Sequence, residues 1–456
     1  MLLDEEFKEF NQNPKNGVKS YLSKIKSFIK NHPYLLIIIV VVIIVLCVVL
    51  SKKDVKEEKI EEIPIFPLAE NIKSEVMEIY NGIGYKDKGT FEDFCEYLSE
   101  QGSNLKEEQK VYLSYYWIKN NIKYDHEGRD NGTVINDPED IFYARKTVCL
   151  GYSRIFKKLL LAMNYAESKI KEIHGYSKGA GYSPFEDPIP SHAWNAVEIN
   201  GKWCLIDTTW DAQKTSEYYL CTPPKCFVRD HLPISDDSLQ FLKNPISLKT
   251  FHQKVRTTKG FCDYNMEIIE DKAIQKFCGR GEIIIKYNID KENTKVFLKV
   301  SETKSEKHPE YFINKIENGF KIYIFVNEVG ESFLDFSLNN TYIGRIYFEC
   351  DKGSGEYFVY PKMYDSYIKS DARLISPIQN FLKRGQRYTF EIKANDFQKL
   401  YLIAFYYNIY GECVSRRFSM VKQGDTFIAK NFLIQNNYEE IYICDMENDL
   451  LLFELE

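Results

Sequence analysis

Residues 192–207 read HAWNAVEINGKWCLID, two apolar-rich runs on either side of Asn200-Gly201. Asn-Gly is the strongest short-range signal for a two-residue type I′ turn, so this stretch predicts a β-hairpin. In the register that such a turn sets, His192 and Asp207 project from the same face as diagonal neighbours, about 7–8 Å apart in the backbone. The hairpin therefore predicts that an imidazole and a carboxylate lie within side-chain reach of each other.

A cysteine opens the helix that the sequence predicts upstream of the hairpin. Apolar residues follow it at the spacing of one helix face, and they are Tyr152, Ile155, Phe156, Leu159, Leu160 and Met163. Cys149 then lies at the first turn, where the helix dipole and the free backbone N–H groups favour a thiolate. Taken alone, one cysteine among 11 is more often a small buried hydrophobic residue. The predicted partners change this interpretation, because His192 can take the thiol proton and Asp207 can orient the imidazole.

Blocks of sequence around these three residues carry a resemblance to a known family. The blocks are Trp117–Asp125, Val148–Ser153, His174–Gly179, His192–Val197 and Trp203–Trp210. Together they resemble the transglutaminase-like core of the kyphoscoliosis peptidase family, and residues 219–251 resemble the segment that follows this core. The resemblance covers about residues 110–255. It implies a papain-like arrangement in which Cys149, His192 and Asp207 correspond to the family's Cys, His and Asp.

The chain departs from the family's pattern next to the cysteine. Lys146-Thr147 precede Val148, where the family tends to have a glycine. The departure leaves open how closely the backbone approaches an oxyanion at this site. No glutamine lies shortly before Cys149, so its backbone N–H is expected to be one oxyanion donor, and the second donor is not identified.

The predicted fold class is α+β: a papain/transglutaminase-like core of helices and a small antiparallel sheet, then β-sandwich-like modules, with one N-terminal transmembrane helix. Helical periodicity runs over about residues 70–170, and short β-type runs separated by Gly, Asn and Asp recur after about residue 260. The predicted segments are a basic N-terminal tail (1–33), a transmembrane helix (34–50), a charged linker (51–69), a transglutaminase-like domain (70–260) and two β-rich modules (261–368 and 369–456).

Residues 34–50 read YLLIIIVVVIIVLCVVL, an uncharged run at the short end of the roughly 17–25 residues that span a bilayer. A cleaved signal peptide is the alternative, but a long polar stretch precedes the run and no small-residue cleavage site follows it. Lysines are slightly more numerous before the run than after it, which favours a cytoplasmic N-terminus. We therefore expect a single-pass membrane protein whose catalytic portion is extracytoplasmic.

Composition argues against several other classes of protein. The formal net charge of -6, without a long basic block beyond the N-terminal region, argues against a nucleic-acid partner. The cysteines have no framework spacing, so no disulfide is inferred and the redox compartment stays open. Cys221 and Cys226 have His231 nearby but lack a second pair of zinc ligands. The sequence predicts neither a metal nor a cofactor, and it leaves the oligomeric state open.

The sequence thus favours a membrane-anchored cysteine peptidase or acyltransferase that acts on protein or peptide substrates. In this reading Cys149 attacks a carbonyl, His192 moves the proton and Asp207 orients His192. Hydrolysis and cross-linking share the resulting acyl-enzyme, and the sequence does not separate them. The alternative is a non-catalytic surface or scaffolding protein that keeps the transglutaminase-like fold and binds partners through its β modules.

Overall fold

The computed structural model describes residues 66, 68–84, 88–179, 181–212, 214, 216–289, 295–301 and 308–456, and these belong to one compact unit, Ile63–Glu456. The predicted basic tail, the predicted transmembrane helix and most of the charged linker lie outside the described residues. The domain boundaries given above stay predictions.

The expected single-pass membrane localisation, with an extracytoplasmic catalytic portion, is corrected. Its proposed span, residues 34–50, lies outside the described residues. In the part of the chain that the structure describes, no helix is both long enough and apolar enough to cross a bilayer. The helix Glu107–Asn121, for example, has 15 residues and carries charged side chains, whereas a span needs about 20 mostly apolar residues.

Helices dominate the first part of the described chain, as the periodicity predicts. The helices in the described residues are α1 Glu70–Gly82, α2 Phe91–Gly102, α3 Glu107–Asn121, α4 His126–Asn131, α5 Pro138–Ala144, α6 Cys149–Ala162, α7 Thr208–Asp211, α8 Pro224–Phe227, α9 Leu248–Gln253, α10 Lys259–Asp263 and α11 Asp365–Lys369. The apolar face predicted for α6 is confirmed, since every residue named for it is buried. This face anchors α6 in the core and leaves its first turn at the edge of that core.

A five-stranded antiparallel sheet packs beside α6. The first strands of the chain are β1 Lys123–Tyr124, β2 Lys146–Thr147, β3 Ile170–Ser177, β4 His192–Ile199, β5 Lys202–Ile206, β6 Leu220–Thr222, β7 His231–Pro233, β8 Arg256–Thr257 and β9 Glu267–Ile268. The sheet has the order β6-β5-β4-β3-β7, while β1 and β2 form a separate parallel pair. Apolar side chains pack on both faces of the sheet. The central strand β4 is therefore buried along nearly its whole length.

The predicted hairpin is confirmed in turn and register. Ile199 pairs with Lys202 across the turn. Asn200 and Gly201 have positive φ values of 50° and 78°, as a type I′ turn requires at both central positions. The register places the start of β4 near the end of β5, so the two ends of the hairpin lie at the same end of the sheet.

In the rest of the described chain the regular secondary structure is almost entirely β-strand. Its strands are β10 Ile274–Lys276, β11 Gly279–Lys286, β12 Leu298–Ser301, β13 Glu310–Ile316, β14 Gly319–Val326, β15 Gly330–Leu338, β16 Thr341–Cys350, β17 Lys362–Met363, β18 Arg373–Ser376, β19 Arg387–Lys393, β20 Tyr401–Tyr407, β21 Cys413–Ser419, β22 Val421–Gln423, β23 Thr426–Leu433, β24 Tyr438–Cys444 and β25 Asp449–Glu454. Sheets β10-β16-β15-β12 and β13-β14-β11-β9 share one apolar core. Sheets β17-β25-β24-β20-β21 and β18-β19-β23-β22 share a second one. The described chain is thus α+β with mainly antiparallel strands.

Buried contacts join the two β-rich parts at the predicted break. The short helix α11 lies there, and its Tyr367 is buried. The Tyr367 hydroxyl donates to Asn314 Oδ1 at 2.5 Å, and Asn314 Nδ2 donates to the Leu374 carbonyl at 2.8 Å. The second apolar core also includes Phe312 of β13. The two parts therefore pack against each other at this point.

Two glycines of the sheet offer a test of the close packing around β3. An alanine Cβ at Gly175 would collide with the Leu232 carbonyl of β7 and with the Trp194 ring, whereas at Gly201 it would meet no atom within 4 Å. We expect Gly175→Ala to lower the free energy of unfolding by about 3 kcal/mol or more through overpacking. Gly201→Ala should cost about 1 kcal/mol, from backbone strain alone. Chemical denaturation of the two variants measures the difference, and equal costs would contradict the close approach of β3 to β7.

Candidate active site

Cys149 is the first residue of α6 and carries a free thiol. The extended backbone of Val148, with φ −107° and ψ −179°, ends the loop and starts the helix. The Cys149 side chain is partly exposed, and its Sγ lies 3.8 Å from the Ser191 carbonyl oxygen. The thiol therefore sits at the helix N-terminus, at the protein surface, next to the residue that precedes β4.

His192 and Asp207 form a buried pair across the two ends of the hairpin. His192 Nε2 lies 2.7 Å from Asp207 Oδ2, and both side chains are almost inaccessible to solvent. Asp207 also caps α7, since its Oδ1 accepts from the backbone N–H groups of Thr209 at 2.8 Å and Trp210 at 3.1 Å. The carboxylate is thus fixed by backbone donors on one oxygen and by an imidazole on the other.

The electrostatics of the pair favour its charged form. Burial opposes a charge on His192, but the Asp207 carboxylate and the adjacent Cys149 raise the pKa of His192 to about 10. Burial likewise opposes a charge on Asp207, but His192 and a second histidine, His231, hold the pKa of Asp207 well below its usual range. An imidazolium facing a carboxylate is therefore the stable state of this pair over the neutral pH range.

The structure brings all three predicted site residues together. The Cys149 thiol interacts with the His192 ring as a hydrogen-bonding partner. His192 Nε2 already faces Asp207, so Nδ1 is the ring nitrogen left for the thiol. This order of groups is the one that a nucleophile, a proton carrier and an orienting carboxylate require. The catalytic roles of the three residues stay a prediction.

A second histidine, which the sequence did not predict, lies at the site. His231 is buried at the start of β7, and its Nε2 lies 3.0 Å from Asp207 Oδ2. Its Nδ1 lies 2.6 Å from Asp230 Oδ1, and the Tyr219 hydroxyl donates to Asp230 Oδ2 at 2.6 Å. The signal in the sequence was weak, because β7 is only three residues long and pairs with β3 more than fifty positions away.

Aromatic rings close the site around the two histidines. The Trp210 ring lies 5.3 Å from the His192 ring and 4.3 Å from the His231 ring. Phe227 stacks on His231 at 4.1 Å, and Trp194 meets it edge-on at 5.1 Å. Such walls exclude water, which strengthens the hydrogen bonds between the charged groups.

A grouping of three side chains in the described residues could formally hold a metal ion: His192, Asp207 and His231, whose ligand atoms lie within 4.8 Å of one another. Ligands on a tetrahedral zinc ion, with bonds of 2.0–2.1 Å, stand about 3.3 Å apart. The nitrogen–oxygen distances of 2.7 and 3.0 Å are shorter and fit hydrogen bonds. The arrangement is therefore that of a hydrogen-bonded network.

The structure contains two disulfides that the spacing of the cysteines did not suggest, Cys226–Cys262 and Cys278–Cys350. The first uses the sulfur of Cys226, the cysteine that lies near Cys221 and His231 in the sequence. Cys221 itself has a free thiol and interacts with the thiol of Cys204. Burial and this neighbour raise the pKa of Cys221. Cys226 is thus not available to pair with His231 around a zinc ion.

Comparison with known proteins agrees with the geometry. A family model described as a transglutaminase-like domain matches residues 95–232. Kyphoscoliosis peptidase of Mus musculus is 27% identical over 286 residues, 56% of this chain and 41% of that protein. The human protein of the same name is 28% identical over 229 residues, 46% of this chain and 33% of that protein. Residues 95–232 therefore match a transglutaminase-like domain, and the chain is similar to kyphoscoliosis peptidases.

A further relative matches at lower identity. Hillarin of Drosophila melanogaster is 24% identical over 222 residues, 43% of this chain and 26% of hillarin. The chain spans less than half the length of the curated relatives named here. The matched residues nevertheless include α6, the hairpin and all three predicted site residues of this transglutaminase-like domain.

The buried carboxylate of the transglutaminase-like domain should contribute strongly to stability. We expect Asp207→Ala to lower the free energy of unfolding by roughly 3–5 kcal/mol, because it leaves buried charged partners without their counter-charge. Asp236→Ala is the matched control, since Asp236 is an exposed cap whose Oδ1 accepts from the Ser238 N–H at 2.9 Å, and its loss should cost about 1 kcal/mol.

The same variant has a predicted pH dependence. Although burial opposes a charge on His192, Asp207 makes the pKa of His192 higher in the folded protein than in the unfolded chain. The stability that this proton contributes is therefore complete below the unfolded value, near pH 6.5, and is lost as the pH rises through the folded value. Without Asp207, burial favours the neutral imidazole, so the variant loses stability as the pH falls below 6.5. Denaturation at pH 7 and at pH 5, both above the unfolded pKa of an aspartate, should show the difference in the free energy of unfolding between wild type and Asp207→Ala widening in acid. A difference that narrows over this range would contradict the charged His192–Asp207 pair.

Proposed function

We propose that this protein is a cysteine-dependent acyltransferase or peptidase, with Cys149 as the nucleophile, His192 as the proton carrier and Asp207 as the orienting carboxylate. The observation that carries the proposal is the partly exposed Cys149 thiol beside the buried His192–Asp207 pair. An exposed nucleophile next to buried proton-handling groups lets a substrate reach the sulfur while water is kept from the pair.

The chemistry needs only groups that this chain supplies, together with the substrate. The Cys149 thiolate attacks the carbonyl carbon of a glutamine side chain or a peptide, while the thiol proton resides on His192. The C–N bond then breaks, and the His192 imidazolium gives its proton to the departing ammonia or amine. Water or an amine next attacks the thioester, loses its proton to His192 and releases the thiol.

Two features support stabilisation of the negative charge that develops in this reaction. The backbone N–H of Cys149 is in the first turn of α6, where N–H groups have no partner within the helix. The helix dipole adds a partial positive charge at the same place. A donor so placed stabilises the oxyanion more in the transition state than in the ground state.

The substrates proposed are proteins or peptides. Two relatives to which the chain is similar bear the name peptidase, and we assign contacts with a protein substrate to the β-rich parts. Hydrolysis and cross-linking pass through the same thioester and differ in whether water or an amine resolves it. A protein that keeps the fold only as a scaffold is the competing function, and the following experiment distinguishes the two.

Selective alkylation of Cys149 tests the proposed nucleophile. Free cysteine thiols are almost entirely protonated at pH 6, whereas a thiolate beside an imidazolium at a helix N-terminus reacts there. Iodoacetamide at pH 6, followed by mass spectrometry, should label Cys149 roughly 10–100 times faster than Cys413, which is free and exposed. His192→Ala should abolish this preference. Asp207→Asn should reduce it only in part, because the helix contribution remains.

His174→Ala is the matched control for these variants. His174 is a half-exposed histidine on β3 that pairs with Glu172 at 2.8 Å, so its loss should leave the labelling of Cys149 unchanged. If Cys149 reacts no faster than Cys413, and neither site substitution changes its rate in a folded protein, the acyl-transfer proposal is wrong and the scaffold function replaces it.

A further inference from the structure

His231 faces a carboxylate with each of its ring nitrogens. Nε2 lies 3.0 Å from Asp207 Oδ2, and Nδ1 lies 2.6 Å from Asp230 Oδ1. A neutral imidazole has a single N–H, and its other nitrogen carries a lone pair that can only accept. A lone pair facing a carboxylate oxygen at hydrogen-bond distance is repelled. Both contacts are hydrogen bonds only if His231 carries a proton on each nitrogen.

The partners of the two carboxylates are donors, which favours their ionised forms. Asp207 accepts from the Thr209 and Trp210 N–H groups and faces His192 in addition to His231. Asp230 Oδ2 accepts from the Tyr219 hydroxyl at 2.6 Å. A protonated carboxyl group would donate its O–H to the His231 nitrogen that it faces, but an imidazole nitrogen binds a proton more strongly than a carboxylate does. The extra proton of this network therefore belongs on a histidine.

The surroundings of His231 suit a cation. The ring is 1% exposed and stands between the aromatic rings of Phe227, Trp210, Trp194 and Tyr219. The faces of aromatic rings attract a cation, most strongly away from water. With carboxylates at both nitrogens, the charge is compensated inside the fold.

The charged groups around this network lie on known elements. Asp207 follows β5, Asp230 precedes β7 and His192 starts β4, its ring 5.2 Å from that of His231. Lys178, in the segment after β3, interacts with Asp230, and its backbone N–H donates to the Asp230 carbonyl at 2.9 Å. Burial lowers the pKa of the Lys178 amine to about 7, and its Nζ donates to the Phe251 and Lys254 carbonyls at 2.6 Å.

We infer that His231 is a positioning residue of the site. It is an imidazolium held between Asp207 and Asp230, and its charge weakens the attraction of Asp207 for the proton of His192. This role rests on the proposed function. His192 must release and regain its proton in every cycle, and a single buried carboxylate without compensation would hold that proton too firmly. The positive charge of His231 both weakens the acceptor strength of Asp207 and repels a second charge on His192.

Nitrogen NMR of the full chain, with 15N-labelled histidine, tests the protonation state directly. His231→Gln assigns the His231 signals by their disappearance, and Gln keeps a donor near the position of Nε2. We expect both His231 nitrogens to be protonated in the folded protein. A neutral His231 tautomer at pH 7 would overturn the inference, whatever the reactivity of Cys149.

The effect of His231 on His192 is measured in the same spectra and by alkylation. In His231→Gln the pH at which His192 loses its proton should rise by roughly one unit, from the loss of a positive charge about 5 Å away. The pH range of selective Cys149 alkylation should move upward with it. A purely structural role would slow alkylation at every pH without moving this range.

Asp230→Asn provides the second variant, and it keeps the inference testable if His231→Gln does not fold. Removing the Asp230 carboxylate favours a neutral His231. The pH at which His192 loses its proton should therefore rise here too, by less than in His231→Gln. His174→Gln, on the half-exposed histidine of β3, should cause no shift. If His192 titrates unchanged in every folded variant at the network, the positioning role is wrong. If Cys149 of the wild type is not alkylated selectively, while the network variants still shift the pH at which His192 loses its proton, the proposed function is wrong instead.

Discussion

A carboxylate that is removed from water keeps its charge only where donors surround both of its oxygens. Asp207 satisfies this constraint with donors from separate parts of the chain: two backbone N–H groups of α7, His192 at the start of β4 and His231 at the start of β7. The return from β5 into α7 and the pairing of β3 with β7 are both needed to supply them. The local chain path around the site is thus dictated by the solvation of one buried charge.

Because Asp207 needs these donors, the residues that fix the site extend beyond the hairpin and α6. The segment that carries His231 is joined to the chain that follows: the Arg229 guanidinium pairs with Asp271 at 2.6 Å, and Cys226 is bonded to Cys262. Lys178 ties the end of β3 to the carbonyl groups at the end of α9. The residues that the sequence assigns to the chemistry all lie at or before Asp207. His231, which helps to keep Asp207 charged, lies after it. The region after β7 therefore helps to fix the site, in addition to any part in recognising a substrate.

The sequence predicted the local features of the fold and of the site well. The Asn200-Gly201 turn fixes its own register, and the apolar face of α6 repeats within a few residues, so both follow from neighbouring positions. His231 could not be found in this way, because its place depends on the pairing of β3 with β7, which no short-range pattern encodes. Asn195 illustrates the same limit. It is polar within a strand, yet it is buried and donates to the carbonyls of Ser153 and Lys171. Burial on both faces of β4 is a property of the packed layers, not of the strand's own pattern.

The departure from the family's pattern before Cys149 also has a structural explanation. Lys146 and Thr147 form β2, which pairs in parallel with β1, and the Asp125 N–H donates to the Thr147 carbonyl at 2.9 Å. The Lys146 ammonium pairs with the buried Asp125 at 3.2 Å, and the Thr147 hydroxyl donates to the Ile135 carbonyl at 2.5 Å. Both side chains are therefore held by partners upstream in the chain rather than by groups of the site. Because only Val148 separates β2 from α6, the same pairing that accommodates these side chains also fixes the first turn of the helix, and with it the backbone N–H of Cys149.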